Sequence, residues 1–124
     1  MKPIRWFDIW AGGRRVEIVF STPKHCVALR RGRTSLLGRC VYEDDRIILN
    51  ALASNHVTEE TLIHELLHLS LENLETDEDT EERIVEWADS RLAWSLRQIG
   101  FRLPPIPEGV ERLRERARGR KGRT

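Results

Sequence analysis

The stretch Thr61-Leu62-Ile63-His64-Glu65-Leu66-Leu67-His68-Leu69-Ser70-Leu71 constrains this chain more than any other, because it asks for a helix that is apolar on most sides yet carries two histidines. His64 and His68 are four apart, so they stand one turn above each other and can grip one ion from the same side. Glu65 falls at the edge of that pair, where a carboxylate reaches an ion-bound water without being a ligand. At 100° per residue, Leu62, Ile63, Leu66, Leu67, Leu69 and Leu71 cover slightly more than half of the helix. His64, His68, Glu65, Thr61 and Glu72 share the rest. A helix this apolar is buried on most sides, and its polar strip then lines a cleft. The simpler alternative, a solvated face with two unrelated histidines, leaves the apolar surround without a reason.

With 124 residues the chain can build a single modest core. Its 40% hydrophobic and 33% charged residues are those of an ordinary soluble protein. No apolar run approaches the roughly 18 residues of a membrane span and the N-terminus has no signal-peptide core, so a cytoplasmic protein without membrane contact is expected. Cys26 and Cys40 fit that setting as reduced thiols, being too few and wrongly spaced for a disulfide framework.

Residues 4–10 and 15–21 are rich in β-branched and aromatic side chains and flank Ala11-Gly12-Gly13-Arg14, a hairpin pattern. Cys26–Arg30 is expected as a short strand. Gly38–Tyr42 and Arg46–Asn50, separated by Glu43-Asp44-Asp45, give a second hairpin, so the first half reads as a small antiparallel sheet. Thr58 is the expected N-cap of a helix running through the motif to about Glu72 or Asn73. A second helix is predicted from about Thr80 to Ile99, stopped by Gly100. A short connection makes the two helices antiparallel neighbours. The expected class is therefore α+β: a small N-terminal antiparallel sheet packed on a helical hairpin that carries the motif. Residues 1–106 are expected as the domain and 107–124 as a flexible, arginine-rich tail, with Val110, Leu113 and Ala117 as a thin stripe able to dock.

The hairpin geometry brings the start of the second helix beside His68 and asks for a third ligand there. With the buried face centred on Ala88 and comprising Ile84, Val85, Leu92, Ser95 and Ile99, Glu81 lies within it and is the favoured ligand. Glu82, at the border, is the alternative, unless Asp79 caps the helix and Glu82 serves a capping box. Trp87, Arg91 and Trp94 form a second stripe, expected to pack on the sheet or on the proline-rich segment after residue 100.

In order, the glycine before the second hairpin, Thr61 to His68, then Thr80-Glu81-Glu82-Arg83-Ile84-Val85 and Trp87-Ala88 resemble the minimal gluzincin-type (HExxH…E) metallopeptidases, the minigluzincins, of phage and prophage genomes. The chain is more distantly similar to ImmA/IrrE-type peptidases. The likeness spans residues 38 to about 99. It departs from those families four residues after the ligand, where they often carry Asp or Asn and this chain has Val85 or Glu86. No histidine follows His68, which argues against groups whose third ligand is histidine. The resemblance implies Zn2+ held by His64, His68 and a glutamate, with Glu65 as general base on a zinc-activated water, and peptide or protein substrates. It further implies that an extended substrate pairs with a sheet edge, for which Arg46, Ile47, Ile48, Leu49 and Asn50 are the candidate strand. Tyr42 and His56 are candidates for a second oxyanion donor. Two other classes stay open. One is an accessory or binding protein of phage type with a peptidase-like fold, metal-free or zinc-stabilised, acting through its Trp/Arg surface or its basic tail. The other is nucleic-acid binding through the basic tail.

Overall fold

Gly12 and Gly13 take positive φ of 61° and 78°, the two-residue turn whose twist matches a hairpin, and they join β1 (Ile4–Ala11) to β2 (Arg14–Ser21). This computed structural model describes residues 1–121. Between β2 and the second hairpin the chain makes a 3-10 turn at Val27–Leu29, where a strand was expected, and a small ribbon of β3 (Arg30–Arg31) and β4 (Thr34–Ser35). β5 (Gly38–Val41) and β6 (Arg46–Asn50) then pair antiparallel around Asp45 in the left-handed region.

The main sheet runs β1-β2-β6-β5. β6 lies inside it, parallel to β2 and antiparallel to β5. The sheet is thus mixed where an all-antiparallel one was expected, and Arg46–Asn50 has no free edge to offer a substrate. The side chains explain the placement. Ile47 and Leu49 enter the main core with Val16, Ile18 and Phe20, while Ile48 joins Val19 and Leu29 on the opposite face. A strand apolar on both faces belongs in a sheet interior. The free edge next to the helices is β5 instead.

α1 (Asn55–Ser70) lies against β5 and β6. Its cap is Ser54, whose side chain accepts from Val57 N, and Thr58 is buried within the helix. α2 (Glu78–Gln98) is capped by Asp77, which accepts from Thr80 N at 2.7 Å, so Glu82 sits beyond N3 and has no capping role. α2 runs antiparallel to α1, since Glu59 pairs with Arg97 and His68 with Glu81.

The face that α2 turns toward α1 differs from the expected one by about one residue step. Val85 and Ala93 are buried and Asp89 is half-buried, whereas Ile84, Leu92 and Ile99 are exposed. Small side chains at the contact let the helices approach, and the polar groups described below take the space that larger apolar ones would fill. Trp87 and Trp94 are also exposed. The proline-rich segment is held by Trp6, whose indole N–H is shared between the carbonyls of Pro104 and Pro105 at 3.2 and 3.0 Å.

The expected tail is a third helix, α3 (Glu108–Lys121). Val110 is buried in the main core, and Arg114 is 8% exposed, donating to Ala51 O at 2.9 Å and to Asn55. What was expected of residues 122–124 lies outside the described residues.

Candidate metal centre

α1 carries His64, Glu65 and His68 toward the start of α2, as the i, i+4 spacing requires. Each imidazole is held by a carboxylate at Nδ1: His64 by Asp89 and His68 by Glu81, both at 2.9 Å. An Nδ1–H donated to a carboxylate leaves Nε2 with a free lone pair and fixes the ring. Both Nε2 atoms then face Glu82, at 3.3 Å for His64 and 2.9 Å for His68. One ligand atom from each of these three residues lies within 4.8 Å of the others.

Glu81, favoured from the sequence as third ligand, is therefore on the far side of His68, and Glu82 occupies the point of convergence. The turn of α2 about its axis is the cause: Glu82, Val85 and Asp89 share the face toward α1. The carboxylate that holds His64 is Asp89, seven residues after Glu82, and not the residue four after it, Glu86, which lies on the cleft wall. The sequence hinted at it only through helical spacing, Glu82 and Asp89 lying two turns apart on one face.

Glu65 is 9% exposed, beside the histidines. Burial pushes its carboxyl above the usual carboxylate range, against the pull of His64, His68 and the backbone N–H of Cys40. Burial and Glu65 push the Cys40 thiol up to about 12, and burial pushes the Tyr42 phenol up to about 12, so both are neutral. Four carboxyl groups, Glu65, Glu81, Glu82 and Asp89, thus surround two imidazoles. The donor set fits a divalent cation: tetrahedral zinc at about 2.0–2.2 Å from nitrogen and oxygen needs ligand atoms roughly 3.3–3.5 Å apart. The 3.3 Å from His64 to Glu82 Oε1 meets that, while the 2.9 Å from His68 to Oε2 is a hydrogen-bond separation that an ion between them would open by about 0.5 Å.

His64, Glu65, His68, Glu81 and Glu82 line a cleft of about 980 Å³ together with Gly38, Arg39, Cys40 and Tyr42 on one wall and Glu78, Asp79 and Glu86 on the other. Asn50 N donates to Leu37 O, which sets the parity of the β5–β6 ladder: Leu37, Arg39 and Val41 point to β6, and the backbone groups of Gly38 and Cys40 point outward. Tyr42 lines the cleft, whereas His56 lies on the exposed first turn of α1, paired with Glu60. No helix among the described residues is long and apolar enough to cross a membrane. Comparison with protein-family models, with curated proteins and with solved structures returns no match, and the reading of the site rests on its geometry.

Proposed function

We propose that this protein is a zinc-dependent metallopeptidase in which His64, His68 and Glu82 hold the ion and Glu65 is the general base. The observation that carries this reading is the convergence of both Nε2 atoms on Glu82, with each Nδ1 tied to its own carboxylate and a buried carboxyl alongside. A zinc ion bound there would lower the pKa of water toward ~7 and polarise a substrate carbonyl. Glu65, whose affinity for a proton is raised by burial, takes the proton from the attacking water and passes it to the leaving amine nitrogen. The Cys40 N–H holds Glu65 in position for both transfers. The outward C=O groups of Gly38 and Cys40 and the N–H of Gly38 offer a strand ladder to an extended peptide, so β5 replaces β6 as the substrate edge. Substrate would lie along this edge with its carbonyl near the histidines.

The test is the metal content and peptide hydrolysis of wild type beside Glu65→Gln and His68→Ala. About one zinc per chain in wild type and Glu65→Gln, lost in His68→Ala, with hydrolysis only in wild type, is the expected outcome. No zinc in any of them, with folding intact, would overturn the proposal.

A further inference from the structure

Among the described residues, one face of α2 is left largely uncovered. Ile84, Trp87, Leu92, Trp94 and Ile99 are 40, 64, 40, 63 and 80% exposed. Apolar side chains this large normally enter a core, and here the core contact was taken by Val85, Ala93 and the residues of the metal centre. They expose on the order of 600 Å² per chain, as large as the patches that mark interaction surfaces on monomers.

The sequence of the stripe says what covers it. An isologous pair needs a patch complementary to itself, in which residue i meets j and j meets i. Two pairs of positions have that property when read in both directions from the Arg91–Leu92 bond. Ile84 and Ile99 are equidistant from it, as are the two small residues Ala88 and Ser95. Trp87 and Trp94 flank the same side, offset by two residues, or about 3 Å, from that symmetry. We infer that α2 pairs antiparallel with α2 of a second copy of this chain, about a two-fold axis near Arg91 and Leu92.

In that pairing Ile84 packs on the partner's Ile99, Ala88 faces the partner's Ser95 where the helices come closest, and Trp87 meets the partner's Trp94. The Arg91 guanidinium is folded over its own Trp87 ring, 4.6 Å from the centroid, which turns its charge to the tryptophan side of the stripe. Two copies would bury at most about 1,200 Å² if the stripe is fully covered, which reaches the lower bound of a specific interface. Glu82 and Asp89 project from the other side of α2, so both clefts stay open.

The test is sedimentation velocity on the full chain at about 100 μM, a concentration that populates a pair of this modest size. Twice 14.5 kDa gives an expected wild-type mass of about 29 kDa. Ile84→Lys and Ile99→Glu each return the mass to 14.5 kDa, and the double variant restores the dimer, because each new lysine faces a new glutamate across the axis. Both sites are exposed, so the variants keep their helix content by circular dichroism. A wild-type monomer, which would leave the stripe to a different protein, overturns the inference. So does a dimer that survives both single changes, or a double variant that stays monomeric.

Discussion

Gly38 is where β5 approaches the motif helix, and Gly38→Ala measures how closely the two must pack. A Cβ there would lie 2.6 Å from the Thr61 methyl, 3.2 Å from Leu49 Cδ2 and 3.3 Å from the Ile48 carbonyl. Carbon atoms rest at about 3.5–4.0 Å, so roughly 1 Å of separation must be found. Leu49 has a flexible end that can give. Thr61 cannot turn its methyl away cheaply, because its hydroxyl donates to Val57 O at 2.7 Å and holds the rotamer. The strand must therefore move off α1, at a cost of about 2 kcal/mol. For a chain of this size that lowers Tm by about 5–10 °C. Thr61→Ser keeps the hydroxyl and removes the clashing methyl, and alone should cost about 1 kcal/mol. Combined with Gly38→Ala it should recover about 1–2 kcal/mol, a coupling read by urea denaturation of all four proteins. Additive effects, or a Gly38→Ala variant within about 0.5 kcal/mol of wild type, would refute the packing argument.

On the metal proposal, Glu82→Ala should remove zinc binding by calorimetric titration, while Glu81→Ala and Asp89→Ala each weaken it about 10–100-fold. The reverse order would put Glu81 at the ion. Arg114→Met should cost about 2–3 kcal/mol in chemical denaturation and raise amide exchange in α3, since Ala51 O and Asn55 lose a buried charged donor; unchanged exchange would show that Val110 alone holds the helix. The backbone and side chain of Thr80 hold the Asp77 carboxyl below its usual range, so its contribution to stability is present above the unfolded pKa and lost as pH falls through the folded one. The Tm gap between wild type and Asp77→Ala should thus be constant above about pH 5 and close in stronger acid; a gap that does not change with pH would count against the cap.

Local chemistry made several elements legible in the sequence. The Gly12-Gly13 turn, the apolar period of the motif helix and the stop at Gly100, with φ of 81°, follow from backbone sterics and helical spacing. The same spacing placed His64 and His68 on one face with Glu65 at its edge. What the sequence could not decide depended on competition between distant segments. Ile47-Ile48-Leu49 reads as a strand in any position, but only the presence of β2 and β5 on either side makes it interior. The apolar residues of α2 pointed to a face centred on Ala88, but pairing the carboxylates with the two imidazoles turned the helix until Glu82 and Asp89 faced α1. That turn moved the converging position from Glu81 to Glu82 and left the tryptophans outside. Likewise the arginine-rich end reads as a solvated tail until Arg114 finds Ala51 O across 63 residues of chain. Periodicity records how apolar a face is, and tertiary packing decides which polar atoms find partners.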